Sequence, residues 1–272
     1  SIIHSLKNKL NEIDNITSLT YLEPIVSFAN TTINISPKKI ISLDAASFSL
    51  GLDNERAFDK ANYPKLEMLK PMQRRRLSPY AKLAMHCALQ ITADETGALE
   101  SIFSTRHGDI HKTSDMLHDI ALGEDISPTA FSLSVHNAVS GLFTIFTQNT
   151  LPSTTVSAGK DTFMMALVEA YVRLNSGQSE QVLLVHCDQA LPKPYIQYAD
   201  ELQIDHAIAM ILTKDKDCGE AISFKRLEEG SVALNDDRVE DLPQGIAFSQ
   251  WFEKVPKERE LILSNTCWKV SR

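Results

Sequence analysis

Cysteine and histidine side chains are the first candidates for chemistry, because a thiolate beside an imidazole base can act as a nucleophile. Cys187 directly follows His186 at the end of an apolar run, residues 181–186. Adjacent side chains on a strand point to opposite faces, so these two residues cannot form a nucleophile–base pair there. Cys187 is therefore predicted to be a structural core residue, and Cys87, within a predicted helix, receives the same interpretation.

No metal or cofactor site is predicted from the remaining residues. His107 and His111 have a four-residue spacing that suits a metal ion only on a continuous helix, and Gly108 between them argues against such a helix. Cys218 and Cys267 lie in polar or terminal segments without metal-ligand spacing. The chain also contains no GxGxxG, Walker A, HExxH or GxSxG motif. Taken motif by motif, the sequence holds no complete catalytic site.

Charge and hydropathy exclude several classes of protein. The 272 residues include 27 Lys and Arg against 35 Asp and Glu, a net charge of −8 that argues against nucleic acid as a general partner. The longest apolar runs have six residues, too few to span a bilayer. Charged residues interrupt the apolar positions near the N-terminus, so no signal peptide is predicted and a cytoplasmic location is expected. The sequence has one dense basic run, Arg74, Arg75 and Arg76. It is either a solvated segment before a helix or a docking site for an acidic partner.

Alternating strands and helices are predicted from residue 39 onward. The clearest helix is 160–176, whose stripe of Phe163, Ala166, Leu167, Ala170, Tyr171 and Leu174 ends at Gly177. The other predicted helices are 78–92, 114–122, 137–147 and 247–253, and the predicted strands are 39–45, 99–104, 154–158, 181–186, 206–213, 222–227 and 261–264. This alternation predicts an α/β fold whose sheet is covered by helices on both faces.

The first 38 residues are predicted to be an N-terminal extension, a helix at 2–13 followed by a linker, before a single domain at 39–272.

Three segments carry a resemblance to a known family. Residues 151–171, running into 174–177 and 181–185, resemble the nucleophile region of β-ketoacyl synthases, in which a strand and a Thr-Ala-Cys turn lead into a long helix. Residues 72–84 resemble the family's basic segment before its first long helix, and residues 127–141 the segment before the nucleophile strand. The match is collinear over 39–212. It implies a thiolase-like half with one mostly parallel or mixed sheet between helices, truncated relative to full ketosynthases.

The departures from this pattern are informative. Aligning Ser157, Ala158 and Gly159 with Thr-Ala-Cys places a glycine at the nucleophile position, and glycine has no side chain to acylate. Asp161 is expected to occupy the positive helix end instead. The family's two catalytic histidines, carried in its second half, have no matching motif in this sequence. The resemblance therefore implies a non-catalytic relative, similar to the short chain length factors of aryl polyene biosynthesis.

Such a subunit would pair with an active β-ketoacyl-ACP synthase and shape the acyl tunnel at their shared interface. The resemblance implies a set of tunnel or partner-interface positions: Phe131, Val135, His136, Asn137, Thr154, Val156, Ser157, Phe163 and Met164. The alternative for the apolar candidates is an ordinary core role, which is the favoured interpretation for Phe163 and Met164. The basic run would be a transient docking site for the acidic acyl carrier protein.

Two other hypotheses stay open at this point. One is a stand-alone acyl-processing enzyme that uses Cys187 or Cys87 as its nucleophile. The other is an inert homodimeric scaffold, against which an uncovered apolar surface would argue.

Overall fold

Nine strands join into one mixed sheet in the computed structural model, which describes residues 31–35, 41–44, 63–95, 97–177, 179–215, 219–227, 242–253, 259–263 and 266–272. The strands are β1 (Thr31–Ile35), β2 (Ile41–Asp44), β3 (Glu100–Ser104), β4 (Ser153–Val156), β5 (Gln181–Asp188), β6 (His206–Thr213), β7 (Glu220–Arg226), β8 (Glu260–Leu263) and β9 (Trp268–Ser271).

The sheet runs in the order β4-β3-β5-β6-β1-β7-β9-β8. β3 pairs in parallel with both β4 and β5, whereas every pair from β5 to β8 is antiparallel. β2 also pairs with β6, along its first residues, while β1 pairs with its last ones. Among the described strands, β4 and β8 therefore form the two edges of the sheet.

Seven α-helices lie in the described part of the chain. They are α1 (Pro71–Arg74), α2 (Pro79–Ile91), α3 (Ile110–Leu122), α4 (Pro128–Ser132), α5 (Ala138–Thr147), α6 (Thr162–Asn175) and α7 (Gln244–Glu253). A 3-10 helix at Gly159–Asp161 directly precedes α6, and another at Lys193–Tyr198 follows β5.

The two central strands bury both of their faces, which explains their nearly continuous apolar sequence. On β5, Val182 and Leu184 belong to one core cluster and Leu183 and Val185 to the other. α6 and α7 cover the first face, and α2 and α5 cover the second. The predicted α/β sandwich is thus confirmed.

Local sequence signals explain where the helices begin and end. The Ser78 side chain accepts a hydrogen bond from the Ala81 amide and starts α2, as its sequence predicts. α3 begins at Ile110, four residues earlier than predicted, because the Asp109 carboxylate caps the Lys112 amide after the Gly108 turn. His107 lies outside this helix.

The sheet extends past both ends of the region of resemblance. β1 lies between β6 and β7, so the predicted boundary at residue 38 falls between two strands of one sheet. β7, β8 and β9 continue the same sheet after residue 213, and β9 was not predicted. The predicted helix at residues 2–13 lies outside the described residues.

Candidate functional site

A tight turn connects β4 to α6 and contains Ser157, Ala158 and Gly159, the residues aligned above with the family's Thr-Ala-Cys. Gly159 has a φ of +59°, a backbone conformation that favours glycine. The Thr162 hydroxyl closes the turn, accepting from the Ala158 amide at 2.9 Å and donating to the Gly159 carbonyl at 2.7 Å. A Cβ atom at Gly159 would meet no heavy atom within 4 Å, so the turn presents bare backbone to an exposed surface.

The N-terminal end of α6 is capped by a residue from α7. The Met164 amide donates to Oε1 of Gln244 at 3.2 Å, and Nε2 of Gln244 donates to Oδ1 of Asp161 at 3.2 Å. Trp268 also donates its indole N–H to Oδ1 of Asp161 at 2.8 Å. Asp161 directly precedes α6 and so occupies the positive end of this helix, as expected, but its carboxylate binds the two side-chain donors and Gln244 supplies the acceptor for the Met164 amide.

The buried carboxylate of Asp188, at the end of β5, organises the turn that follows β3. It accepts from the Thr105 hydroxyl at 2.8 Å and from the Arg106 amide at 2.9 Å. The His107 amide donates to it at 3.3 Å. A carboxylate that accepts several backbone N–H groups holds a turn in one geometry, because each unmade bond would leave a buried donor unsatisfied.

This turn gathers two of the predicted interface residues. His136 donates its Nε2–H to the Thr105 carbonyl at 3.2 Å, and Ser157 donates its hydroxyl to the Arg106 carbonyl at 3.1 Å. Ser157 is two residues from Gly159. His136, Ser157 and Gly159 thus lie around one turn.

Four charged side chains form a cluster beside Gly159. Arg106 binds the Asp200 carboxylate through two hydrogen bonds of 2.8 and 2.9 Å and lies 3.2 Å from Glu201. Lys160 donates to the Asp200 carbonyl at 2.9 Å and forms an ion pair with the Asp200 carboxylate at 3.5 Å. The Arg106 hydrogen bonds lower the pKa of Asp200, whereas burial raises the pKa of Glu201. Since each cation already has an anionic partner, this cluster offers no free charge to a ligand.

His186 lies in the floor of a cleft beside this cluster, in a space that holds about one water molecule. Its Nδ1 lies 2.9 Å from the Ser104 hydroxyl and its Nε2 lies 3.7 Å from Asp188. Burial lowers the pKa of His186 to about 4, although Asp188 partly opposes that shift. A histidine with this pKa is neutral at pH 7 and a weak base, and the sequence alone gives no sign of its contacts.

The remaining predicted interface residues divide into surface and core. Phe131 is 60% exposed, and Val135, His136 and Asn137 are also exposed. Thr154 and Val156 are half-buried on the edge strand β4, where Arg173 donates to the Thr154 hydroxyl.

Phe163 and Met164 differ from this pattern, since both are buried in the core against the sheet and α7. A core position was the interpretation that the sequence favoured for both residues, and Phe163 also lines the cleft beside Gly159.

The arginine run lies on α1 and the turn after it. Arg75 and Arg76 are exposed and Arg74 is half-buried. None of the three makes an ion pair with another described residue.

Cys87 and Cys187 are both buried and donate weakly to backbone carbonyls, of Ala207 and Tyr80 respectively, at 3.6 Å. Burial raises the pKa of the Cys187 thiol well above its usual range, which keeps it protonated. His186 and Cys187 lie on opposite faces of β5, as predicted. Cys218 lies outside the described residues.

Over the described ranges, no three His, Cys, Asp or Glu side chains are grouped so as to hold a metal ion. Within the same ranges, no helix has the length and apolar character needed to cross a membrane.

Comparisons with known proteins show which family this chain resembles. Residues 52–269 match the family described as the N-terminal domain of β-ketoacyl synthases, well beyond the end of the resemblance at residue 212. No curated protein matches the chain.

Two solved structures show the same fold. One is the ketosynthase ApeO in complex with its chain length factor ApeC from Xenorhabdus doucetiae, with a TM-score of 0.69 and 27% identity over 89% of this chain and 99% of that chain. Another, the ishigamide ketosynthase/chain length factor, has a TM-score of 0.50 and 13% identity over 57% of this chain and 48% of that chain. Because the family match spans most of the sequence, this chain belongs to the β-ketoacyl synthase family.

Proposed function

We propose that this chain is a catalytically inactive chain length factor that forms a heterodimer with an active β-ketoacyl-ACP synthase. The observation that carries the proposal is Gly159, a residue without a side chain at the turn where the family places its nucleophile. The likeness to a chain of the ApeO–ApeC complex, nearly all of which is covered, supports the same conclusion. The sequence resemblance to the short chain length factors leads us to propose an aryl polyene as the product class.

The chemistry of the site favours a non-catalytic role. Condensation by a synthase requires a nucleophile that carries the acyl group and groups that assist decarboxylation. Gly159 supplies no nucleophile, and His186, which lines the same cleft, is buried and neutral. The partner would supply both functions.

We propose that the synthase binds across β4 and the surface around Gly159. Exposed strand edges and exposed apolar side chains are the features that partner chains cover. The surface includes Phe131, Val135, His136, Asn137, Thr154, Val156 and Ser157. Phe131 and Val135, as its exposed apolar members, are the candidates for lining the acyl tunnel and setting product length.

We propose further that Arg74, Arg75 and Arg76 dock the acyl carrier protein transiently. Their charges are not matched by ion pairs within the described ranges, so they are available to an acidic partner. Their effect would be on the association rate and its dependence on salt.

The alternative, an acyl-processing enzyme that uses Cys187 or Cys87, has little physical support. A nucleophilic cysteine needs access to substrate and a lowered thiol pKa. Both residues are buried, and the pKa of Cys187 is raised.

Co-expression with a synthase encoded in the same gene neighbourhood tests the proposal. Size-exclusion chromatography with mass detection should yield a stable one-to-one complex. Product should form only when the synthase retains its own cysteine, and a synthase variant with that cysteine replaced by alanine is the control. A chain that stays monomeric with every such synthase, or forms only a homodimer, would contradict the proposal.

A further inference from the structure

A second apolar surface lies beside Gly159, on the segment that follows β5. This segment, residues 193–202, is named here the strap, and eight of its ten residues are exposed. Three of the exposed residues are large and apolar: Ile196 is 51% exposed, Tyr198 69% and Leu202 44%. So many exposed apolar side chains in a short segment indicate a surface that another molecule covers.

The strap is held in a defined shape by hydrogen bonds at its base. The Ala190 amide donates to Oδ1 of Asp205 at 2.8 Å, and the Leu191 amide donates to Oε1 of Gln203 at 2.9 Å. Inside the strap, the Ala199 amide donates to the Ile196 carbonyl at 3.0 Å. A segment fixed in this way loses little conformational freedom when it binds a partner.

Asp200 joins the strap to the surface around Gly159. Its carboxylate binds the Arg106 guanidinium, and its carbonyl accepts from Lys160, the residue after Gly159. The Arg106 carbonyl in turn accepts from Ser157. The strap is therefore continuous with the proposed synthase-binding surface.

The size of that surface also calls for additional residues. A stable protein–protein interface has about 20–30 residues on each side. The seven positions proposed above, from Phe131 to Ser157, fall well short of this number. The strap adds eight exposed residues at its border, including a tyrosine, one of the residue types that dominate binding energy at interfaces.

We infer that the strap is a second synthase-binding element, with Tyr198 as its principal contact and Asp200 as the residue that positions it. The inference rests on the proposed heterodimer. The occupant is the synthase rather than a second copy of this chain, because the strap adjoins the surface assigned to the synthase.

Titration of the purified synthase against variants of the full chain tests the inference. Tyr198→Ala should weaken binding at least tenfold, and Ile196→Ala should weaken it less. Asp200→Ala should also weaken binding. It removes the contact that holds the strap to Arg106, although the Tyr198 side chain itself is unchanged. Ile262→Ala is the control and should bind like the wild type, because Ile262 is 48% exposed on β8 at the opposite edge of the sheet.

The outcomes separate the two proposals. A wild-type chain that binds no synthase overturns the heterodimer and the inference with it. A wild-type chain that binds, together with a folded Tyr198→Ala variant of unchanged affinity, overturns the inference alone. Loss of self-association in that variant with full synthase binding would also overturn it. Circular dichroism and thermal unfolding of each variant establish that it is folded.

Discussion

Gly245 lies directly against the ring of His186, so close that a Cβ atom at position 245 would stand 2.7 Å from Cδ2 of the histidine and 3.1 Å from Cδ1 of Ile208. Gly245 is the second residue of α7, and His186 lies on β5 beneath it. The first turn of α7 can approach the sheet this closely only because residue 245 lacks a side chain. The same approach brings Gln244 to the end of α6.

Gly245→Ala should therefore destabilise the protein by about 1–3 kcal/mol, the usual cost of overpacking a core, because the buried His186 ring has little room to move. Urea unfolding measures the change. Gly141→Ala is the matched control, since a Cβ there meets nothing within 4 Å and alanine is favoured inside the α5 helix. Equal effects of the two substitutions would contradict this account of the contact.

Stability should fall as the pH drops from about 6.5 toward 4, because His186 takes up a proton only in the unfolded chain over that range. Its pKa of about 4 in the folded state lies below the ordinary value of 6.5. The resulting loss in the free energy of unfolding approaches about 3 kcal/mol near pH 4. His186→Gln should flatten this part of the pH profile in urea titrations, whereas His118→Gln, at an exposed position on α3, should not.

Gly159→Cys should gain no condensing activity. The new thiol would lack decarboxylating partners, and the positive φ at this position costs a non-glycine residue about 1–2 kcal/mol of stability. Mass spectrometry of the variant incubated with a malonyl-loaded carrier protein checks this, with the synthase as the positive control. Turnover by the variant without its partner would show that catalytic groups do exist in this chain.

Cys87 and Cys187 should resist alkylation in the native protein, because both thiols are buried and the pKa of Cys187 is raised. Iodoacetamide at pH 8 should modify the half-buried Cys267 before Cys87 and Cys187, which should react only after unfolding in urea. Peptide mapping gives the order. Rapid labelling of native Cys187 would revive the acyl-enzyme alternative.

Replacing Arg74, Arg75 and Arg76 together by glutamate should slow association with the acyl carrier protein about tenfold at low salt and reduce the salt dependence of the rate. Stopped-flow measurements on the assembled complex test this. Lys225→Glu, an exposed basic position on β7, is the control for net charge. An unchanged association rate in the triple variant would contradict the docking role and indicate that the three arginines are only a solvated surface segment.

The sequence alone determined the features that depend on short-range pattern. The inner stripe of α6, the Ser78 cap of α2 and the burial of both faces of β5 follow from periodicity, local hydrogen bonding and a continuous apolar run. The lack of a nucleophilic side chain at Gly159 can also be predicted from the sequence, because it depends on the residue type and on no tertiary contact.

The tertiary structure decided which distant residues meet around that glycine. Asp188 reaches Thr105 across 83 positions of the chain, and Gln244 reaches Met164 across 80, because the order of the strands in the sheet brings their ends together. The same order explains why Phe163 faces the core while the strap lies at the surface beside Gly159. Local periodicity contains no information on such pairings, since they depend on which strands become neighbours.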